Sequence, residues 1–215
     1  MASNDHPGRT GSLRLSTAEL ARGLERNGWC VVDDALDPAA LAALAATCRS
    51  LAADGAMHAA RTGHHVEAAP APALRGDQVC WLAEGGANDA EVALLAGLEH
   101  VRAALNQRLY LGLADIEAHY ACFAPGTGYR VHRDRFRDDD RRAVSLVVYL
   151  NAGWREADGG ALRLYLDAAR SRHHDVQPLG GRIACFLSAD FEHEVLPATR
   201  ERLSIAAWFR RRAAA

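Results

Sequence analysis

The hydrophobic and polar positions change texture once along the chain, near residue 110. Before it, helical segments alternate with short strands. Ser16-Thr17-Ala18-Glu19 places a cap residue three positions ahead of a Glu, the signature of a capping box. A helix is expected from there to Asn27, stopped by Gly28. Trp29-Cys30-Val31-Val32 reads as a strand. Asp37-Pro38 opens a second helix to about Ala53, with Asp as cap and Pro at the first position. Gln78 to Leu82 reads as a short strand, and Asn88 with Glu91 caps a third helix to about Arg108. Residues 55–74 carry Gly, His and an Ala-Pro repeat and read as a long loop, of the length that is often functional. Residues 1–12 are polar and Gly-containing and are expected to be disordered.

From residue 115 onward, short apolar runs succeed one another between turn signals: 115–124, 143–151, 161–166, 182–187, 193–196 and 202–209, with Pro-Gly-Thr-Gly at 125–128. Regularly spaced short strands point to a β-sandwich, barrel or jelly roll. The expected architecture is a helical layer packed on a C-terminal β-core. The length of 215 residues suits one such domain. Composition narrows the picture further. Apolar residues are 49% and charged residues 24%, so a chain disordered throughout is not expected. No run of eighteen apolar residues occurs, which argues against a membrane span. The opening MASNDHPGRTGS has no apolar centre, so no secretory signal is read there. The formal charge of −2 offers no general basic excess for a phosphate backbone, and no nucleic-acid partner is expected. The five cysteines are scattered without a CxxC pair, consistent with reduced thiols in a cytoplasm. All 25 basic residues are Arg, a bias that suggests a GC-rich bacterial source.

Candidate chemistry starts at His132-Arg133-Asp134. In an extended chain His132 and Asp134 would face the same side. His193 lies 59 residues beyond Asp134 in another strand-like segment. Two His and one carboxylate make the facial triad of non-haem Fe(II) oxygenases, which leaves metal positions open for a co-substrate and O₂. Arg202 follows nine residues after His193. In its strand Arg202, Ser204, Ala206 and Trp208 share one face, and Leu203, Ile205, Ala207 and Phe209 the other. Both faces are apolar enough to be buried, and a buried guanidinium needs a partner. With no acid on its own face, a carboxylate ligand is the natural one. Tyr149, near the end of the run Val144–Leu150, could add a hydroxyl donor.

The segments GWCVVDDAL, LRGDQVCWL, GTGYRVHRD, VVYLNAGW, DGGALRLYL and HEVLPATRERLSIAAWF occur in order over about residues 27–210. In these the chain resembles the prolyl hydroxylase domain family: the HIF prolyl hydroxylases and their bacterial relatives, within the 2-oxoglutarate/Fe(II)-dependent dioxygenases. The resemblance implies an α+β fold with a double-stranded β-helix, or jelly-roll, core. It implies one domain over 13–215, with helical support at 13–110 and the core at 115–210. It implies His132, Asp134 and His193 as iron ligands, Arg202 paired with the distal carboxylate of 2-oxoglutarate, Tyr149 hydrogen-bonding that carboxylate, and Trp208 beside metal and co-substrate. Trp81 and Arg142 match positions near the bound peptide, and Arg75-Gly76-Asp77 matches a motif that anchors the mobile loop before it. Phe123 departs from the family, which carries a Tyr there; Tyr129 is a candidate replacement donor.

The implied function is Fe(II)-, 2-oxoglutarate- and O₂-dependent hydroxylation of a prolyl residue in a protein, yielding succinate and CO₂, with ascorbate a further candidate cofactor. Elongation factor Tu is a family-based candidate substrate. Two alternatives stand beside it: the same chemistry on a free amino acid or small metabolite, and a metal-holding jelly-roll sensor without turnover. His64-His65 and His173-His174 are read as surface histidines in loops, Asp138-Asp139-Asp140 as a solvated hairpin tip, and the Arg210-Arg211-Arg212 tail as a solubilising end.

Overall fold

In a computed structural model, residues 13–60, 75–135 and 140–212 are described. Helix α1 (Thr17–Asn27) begins where Ser16 accepts a hydrogen bond from the Glu19 amide. It ends at Gly28, whose φ of +78° is a left-handed conformation that glycine adopts without steric cost. Strand β1 (Trp29–Val32) follows. Helix α2 (Pro38–Ala53) starts from Asp37, whose carboxylate accepts the Ala39 amide at 2.9 Å. Strands β2 (His58–Ala59) and β3 (Asp77–Trp81) come next. Helix α3 (Asp89–Leu109) is capped by Asn88, and its buried Glu91 accepts from the Ala87 amide and the Tyr120 hydroxyl. The remaining strands are β4 (Leu113–Phe123), β5 (Tyr129–His132), β6 (Arg142–Tyr149), β7 (Leu162–Tyr165), β8 (His173–Val176), β9 (Ile183–Leu187), β10 (His193–Val195) and β11 (Arg202–Arg211).

These strands form two antiparallel sheets. The larger runs β1-β9-β6-β11-β4-β3-β2 and the smaller β5-β10-β7-β8. The three helices lie against one face of the larger sheet, and the smaller sheet covers part of the other. This is the α+β, jelly-roll-type arrangement expected from the sequence. Alternation along each central strand divides its side chains between two layers. Leu203, Ile205, Ala207 and Phe209 of β11, Val144, Leu146 and Val148 of β6, and Ala118 and Tyr120 of β4 join the helices in the main core. Each fully buried large aliphatic side chain there contributes about 1.5–3 kcal/mol. The opposite faces look inward. Tyr149, Ala184 and Phe186 pack with Leu162, Leu164, Val176 and Phe191 in a second, smaller core between the sheets.

Several elements differ from the sequence reading. The first half of the chain supplies three strands, β1 to β3, to the larger sheet. Of the loop expected over 55–74, His58–Ala59 forms an edge strand, and 61–74, with His64-His65, lies outside the described residues. Residues 1–12 and 136–139 lie outside them as well. His173 and His174 were read as loop but form the start of β8; His174 packs on Trp29 with ring centroids 4.4 Å apart, closing the end of the inner core. Their polar character hid an edge strand of the smaller sheet. No helix among the described residues is long and apolar enough to cross a membrane.

His119 faces inward from β4 and is buried, its Nδ1 3.0 Å from the Tyr120 carbonyl oxygen. Burial, aided by the charge of Arg75, drives its pKa down from 6.5 to about 4. Between these values the unfolded chain holds a proton that the folded chain refuses. Stability therefore rises with pH through this window and is lost as pH falls through it, by about 3 kcal/mol from this group. Urea unfolding between pH 7 and pH 4 should show that slope in wild type and a shallower one in His119→Gln. Equal slopes would remove His119 as its source.

Candidate active site

Strands β5 and β10 pair with His132 directly opposite His193. Their close approach depends on Gly128, where a Cβ would lie 2.4 Å from the Val195 carbonyl oxygen. The pairing sets the two imidazoles side by side, ring centroids 4.2 Å apart. Asp134 reaches the same point by a route other than the one expected. Strand β5 ends at His132, and Asp134 stands in the bend that follows, so chain reversal and not strand alternation turns its carboxylate inward. Asp134 Oδ1 lies 3.6 Å from Nε2 of both His132 and His193.

Both rings are held in register by the backbone. His132 Nδ1 lies 2.7 Å from the Arg130 carbonyl oxygen and His193 Nδ1 3.3 Å from that of Phe191. A carbonyl only accepts, so each Nδ1 carries a proton and each Nε2 is the ring nitrogen that faces Asp134. Tyr129 stacks on His132 at 3.5 Å, and the Arg75 guanidinium lies over Tyr129 at 4.6 Å. Arg75 is itself fixed by a bidentate pair with buried Asp77, at 2.7 and 2.6 Å. Burial, then the neighbouring His193, lower the His132 pKa. Burial opposes ionisation of Asp134, but the two imidazoles outweigh it and hold its carboxyl well below the usual range. Two imidazoles and one carboxylate thus face one point. Donors about 2.1 Å from one ion can stand up to about 4.2 Å apart, so the 3.6 Å pairs can share a metal. The three donor atoms all lie within 4.8 Å of one another, and no other such cluster occurs among the described residues.

An open cavity of about 710 Å³ extends from this cluster between the sheets. Its walls include Ala121, Phe123, Val147, Leu162 and Val195. Arg202 also lines it and is 2% exposed. It donates from Nε to the Gly160 carbonyl oxygen at 2.8 Å and from Nη1 to Ser204 Oγ at 3.4 Å, but no carboxylate among the described residues pairs with it. Burial lowers its pKa, with Tyr149 opposing. The buried Tyr149 hydroxyl lies in the same region and has no hydrogen-bond partner among the described residues. Burial pushes its pKa up to about 12. A buried guanidinium without a carboxylate partner among the described residues, next to a tyrosine hydroxyl, suits an anion that accepts hydrogen bonds. Phe123 lies beneath the Arg202 guanidinium, centroid 5.2 Å away, and adds no hydroxyl.

Trp208 shares the inward face of β11 with Arg202, and Arg142 stacks on its ring at 3.7 Å. Glu117 accepts from Arg142 Nε at 2.7 Å and from Arg210 Nη1 at 2.8 Å, which orients the stacked guanidinium. The Trp208 indole N–H is buried without a partner among the described residues. Trp81 is not part of the cavity wall. It stands 54% exposed, with its ring 5.0 Å from His119 and 6.3 Å from Trp208, both of which are. The sequence reading passed over Ser145, Ser188 and His119. Ser145 donates to Asp134 Oδ2 at 2.7 Å, and Ser188 Oγ lies 2.8 Å from Ser145 Oγ. A serine on the inward phase of the apolar run Val144–Leu150 was a signal available for the first of these.

Comparisons with known proteins agree with this geometry. A profile described as the 2OG-Fe(II) oxygenase superfamily matches residues 118–210. The chain is 44% identical to a crystallised Pseudomonas putida prolyl-4-hydroxylase, covering 92% of this chain and 100% of that one, with a TM-score of 0.83. A Trichoplax adhaerens prolyl hydroxylase, solved with a hypoxia-inducible factor peptide fragment, shares the fold at TM-score 0.77 and 24% identity, over 90% of this chain and 88% of that one. A hypoxia-inducible factor prolyl hydroxylase of Caenorhabditis elegans is 28% identical over 210 residues, which are 92% of this chain but only 28% of the worm protein. At 44% identity over the whole of the Pseudomonas putida enzyme, the chain belongs to the 2OG-Fe(II) oxygenase superfamily, in its prolyl-hydroxylase-like group.

Proposed function

We propose that the protein is an Fe(II)- and 2-oxoglutarate-dependent dioxygenase that hydroxylates a prolyl residue of a polypeptide. The observation that carries this is the convergence of His132, Asp134 and His193 at the mouth of a pocket holding Arg202, a buried cation with no acidic partner among the described residues. Fe(II) held by these three side chains would supply the oxygen activation that amino-acid side chains lack. Everything else is the work of the chain. His132, Asp134 and His193 would hold the ion, with the cavity beside them available to the co-substrate. Arg202 receives the far carboxylate of 2-oxoglutarate, and Tyr149 donates its unmet hydroxyl to it. Because Phe123 brings no donor, Arg202, Tyr149 and Ser204 carry that recognition. The apolar walls exclude water from the reacting end. Over one turnover a substrate C–H becomes C–OH, one O₂ is consumed, and 2-oxoglutarate is converted to succinate and CO₂.

The rim supports a polypeptide substrate in preference to a free metabolite. Trp81 offers a large exposed ring next to the cavity, and the Arg142–Trp208 stack forms a wall beside it. Elongation factor Tu is the first protein to test, on the family resemblance. A cytoplasmic location accords with five cysteines that are all free.

His132→Ala and Asp134→Ala should reduce succinate formation to background in a coupled assay with Fe(II) and 2-oxoglutarate; full turnover in either would contradict the assignment. Arg202→Ala should raise the KM for 2-oxoglutarate about 10- to 100-fold, the loss of a charged hydrogen-bonded contact. An unchanged KM would remove Arg202 from that role. Mass spectrometry of a bacterial lysate treated with the purified protein should find one added oxygen on proline-containing peptides. Oxidation confined to small molecules would favour the metabolite alternative.

A further inference from the structure

Ser145 belongs to the helix-supported sheet and Ser188 to the turn after its strand β9, and together they reach toward the Asp134 carboxylate. Ser145 sits in β6 opposite Trp208 of β11 and Phe186 of β9, and is 1% exposed. Ser188 follows β9, is fully buried, and its amide donates to the Ala143 carbonyl oxygen at 3.1 Å. Between Ser145 Oγ and Asp134 Oδ2 the distance is 2.7 Å, and between the two serine oxygens 2.8 Å. The directions of these bonds follow from chemistry. An ionised carboxylate can only accept, so the single hydroxyl hydrogen of Ser145 is committed to Asp134. Ser145 therefore has no hydrogen left for Ser188 and must accept from it. The order is Ser188 to Ser145 to Asp134, with each donation polarising the next.

The two carboxylate oxygens of Asp134 are consequently unequal. Oδ2 is occupied by the relay, whereas Oδ1 is the one that lies 3.6 Å from each imidazole Nε2. We infer that Ser145, backed by Ser188, is a positioning pair that restricts Asp134 to one metal-facing oxygen and fixes the direction of that oxygen. This inference rests on the metal-site reading above. Its consequence is for coordination. A carboxylate free to swing could offer both oxygens and take a position that co-substrate or O₂ requires. A carboxylate tethered through Oδ2 offers one donor and needs no ordering when the metal arrives.

The test is Mn(II) binding to the metal-free, full-length protein, followed through the free-ion signal in electron paramagnetic resonance, so that no turnover is needed. Removing an outer partner of a metal ligand lowers affinity about 10- to 100-fold. Ser145→Ala should show a loss in that range, and Ser145→Thr, which keeps the hydroxyl, should stay within about threefold of wild type. Ser188→Ala should weaken binding less than Ser145→Ala, and its effect should vanish in the Ser145→Ala background, because Ser188 acts only through Ser145. Circular dichroism of each apo variant establishes that it is folded. Wild-type affinity in Ser145→Ala, equal weakness in Ser145→Thr, or a Ser188→Ala loss of the same size in both backgrounds would each overturn the relay. The metal-site reading fails separately: wild type would not bind Mn(II), or Asp134→Ala would bind it as tightly as wild type.

Discussion

Strand β11 is covered on both faces, and that constraint organises the molecule. A strand's side chains alternate, so a doubly covered strand sends half of them to each layer. Leu203, Ile205, Ala207 and Phe209 go to the helices and build the main core. Arg202, Ser204, Ala206 and Trp208 go to the space between the sheets. A one-residue slip would exchange the two sets, placing a guanidinium among leucines and a phenylalanine in the pocket. The cost of either error pins the register, and the register sets the distance from the buried cation to the ligand cluster. The neighbouring strands repeat the division: β6 offers Ser145, Val147 and Tyr149 inward, and β4 offers His119, Ala121 and Phe123.

Within that frame the site is prepared by hydrogen bonds that do not themselves react. Backbone carbonyls at Arg130 and Phe191 choose the tautomers of two imidazoles. Ser145, backed by Ser188, occupies one oxygen of a carboxylate. Glu117 holds Arg142 flat against Trp208. Each removes a degree of freedom that a ligand would otherwise have to freeze. Three buried polar side-chain atoms among the described residues lack partners, on Tyr149, Gln177 and Trp208; Trp208 lines the cavity and Tyr149 packs beside Arg202, which does. In a folded interior such atoms are rare, and the two at or beside the pocket are available to a ligand there.

The division of labour between the sheets explains how chemistry and stability coexist. The larger sheet has the helical core behind it and carries Arg202, Tyr149 and Ser145, with Ser188 in the turn after its strand β9. The smaller sheet, backed by the lesser core around Phe186 and Leu164, carries the histidines on adjacent strands. Asp134 is the link between them, since its two oxygens face different sheets. The cluster is therefore sensitive to how the sheets are spaced.

The capped helices were legible in the sequence because Ser16, Asp37 and Asn88 act within a few residues of themselves. The alternation of β11 was equally plain, and with it the burial of Arg202 without an acid beside it. The order of His132, Asp134, His193 and Arg202 suggested the chemistry before any contact could be drawn. The sequence could not show that Asp134 turns inward through a bend, that His173 and His174 begin a strand, or that Ser145 stands between a ligand and Ser188. Those depend on pairings between separate strands and segments, which no single stretch of chain encodes. Local preference carries information over a turn or a strand's length, while the meeting of β5 with β10, and of β6 with the bend after β5, is decided by how two sheets bury their faces together.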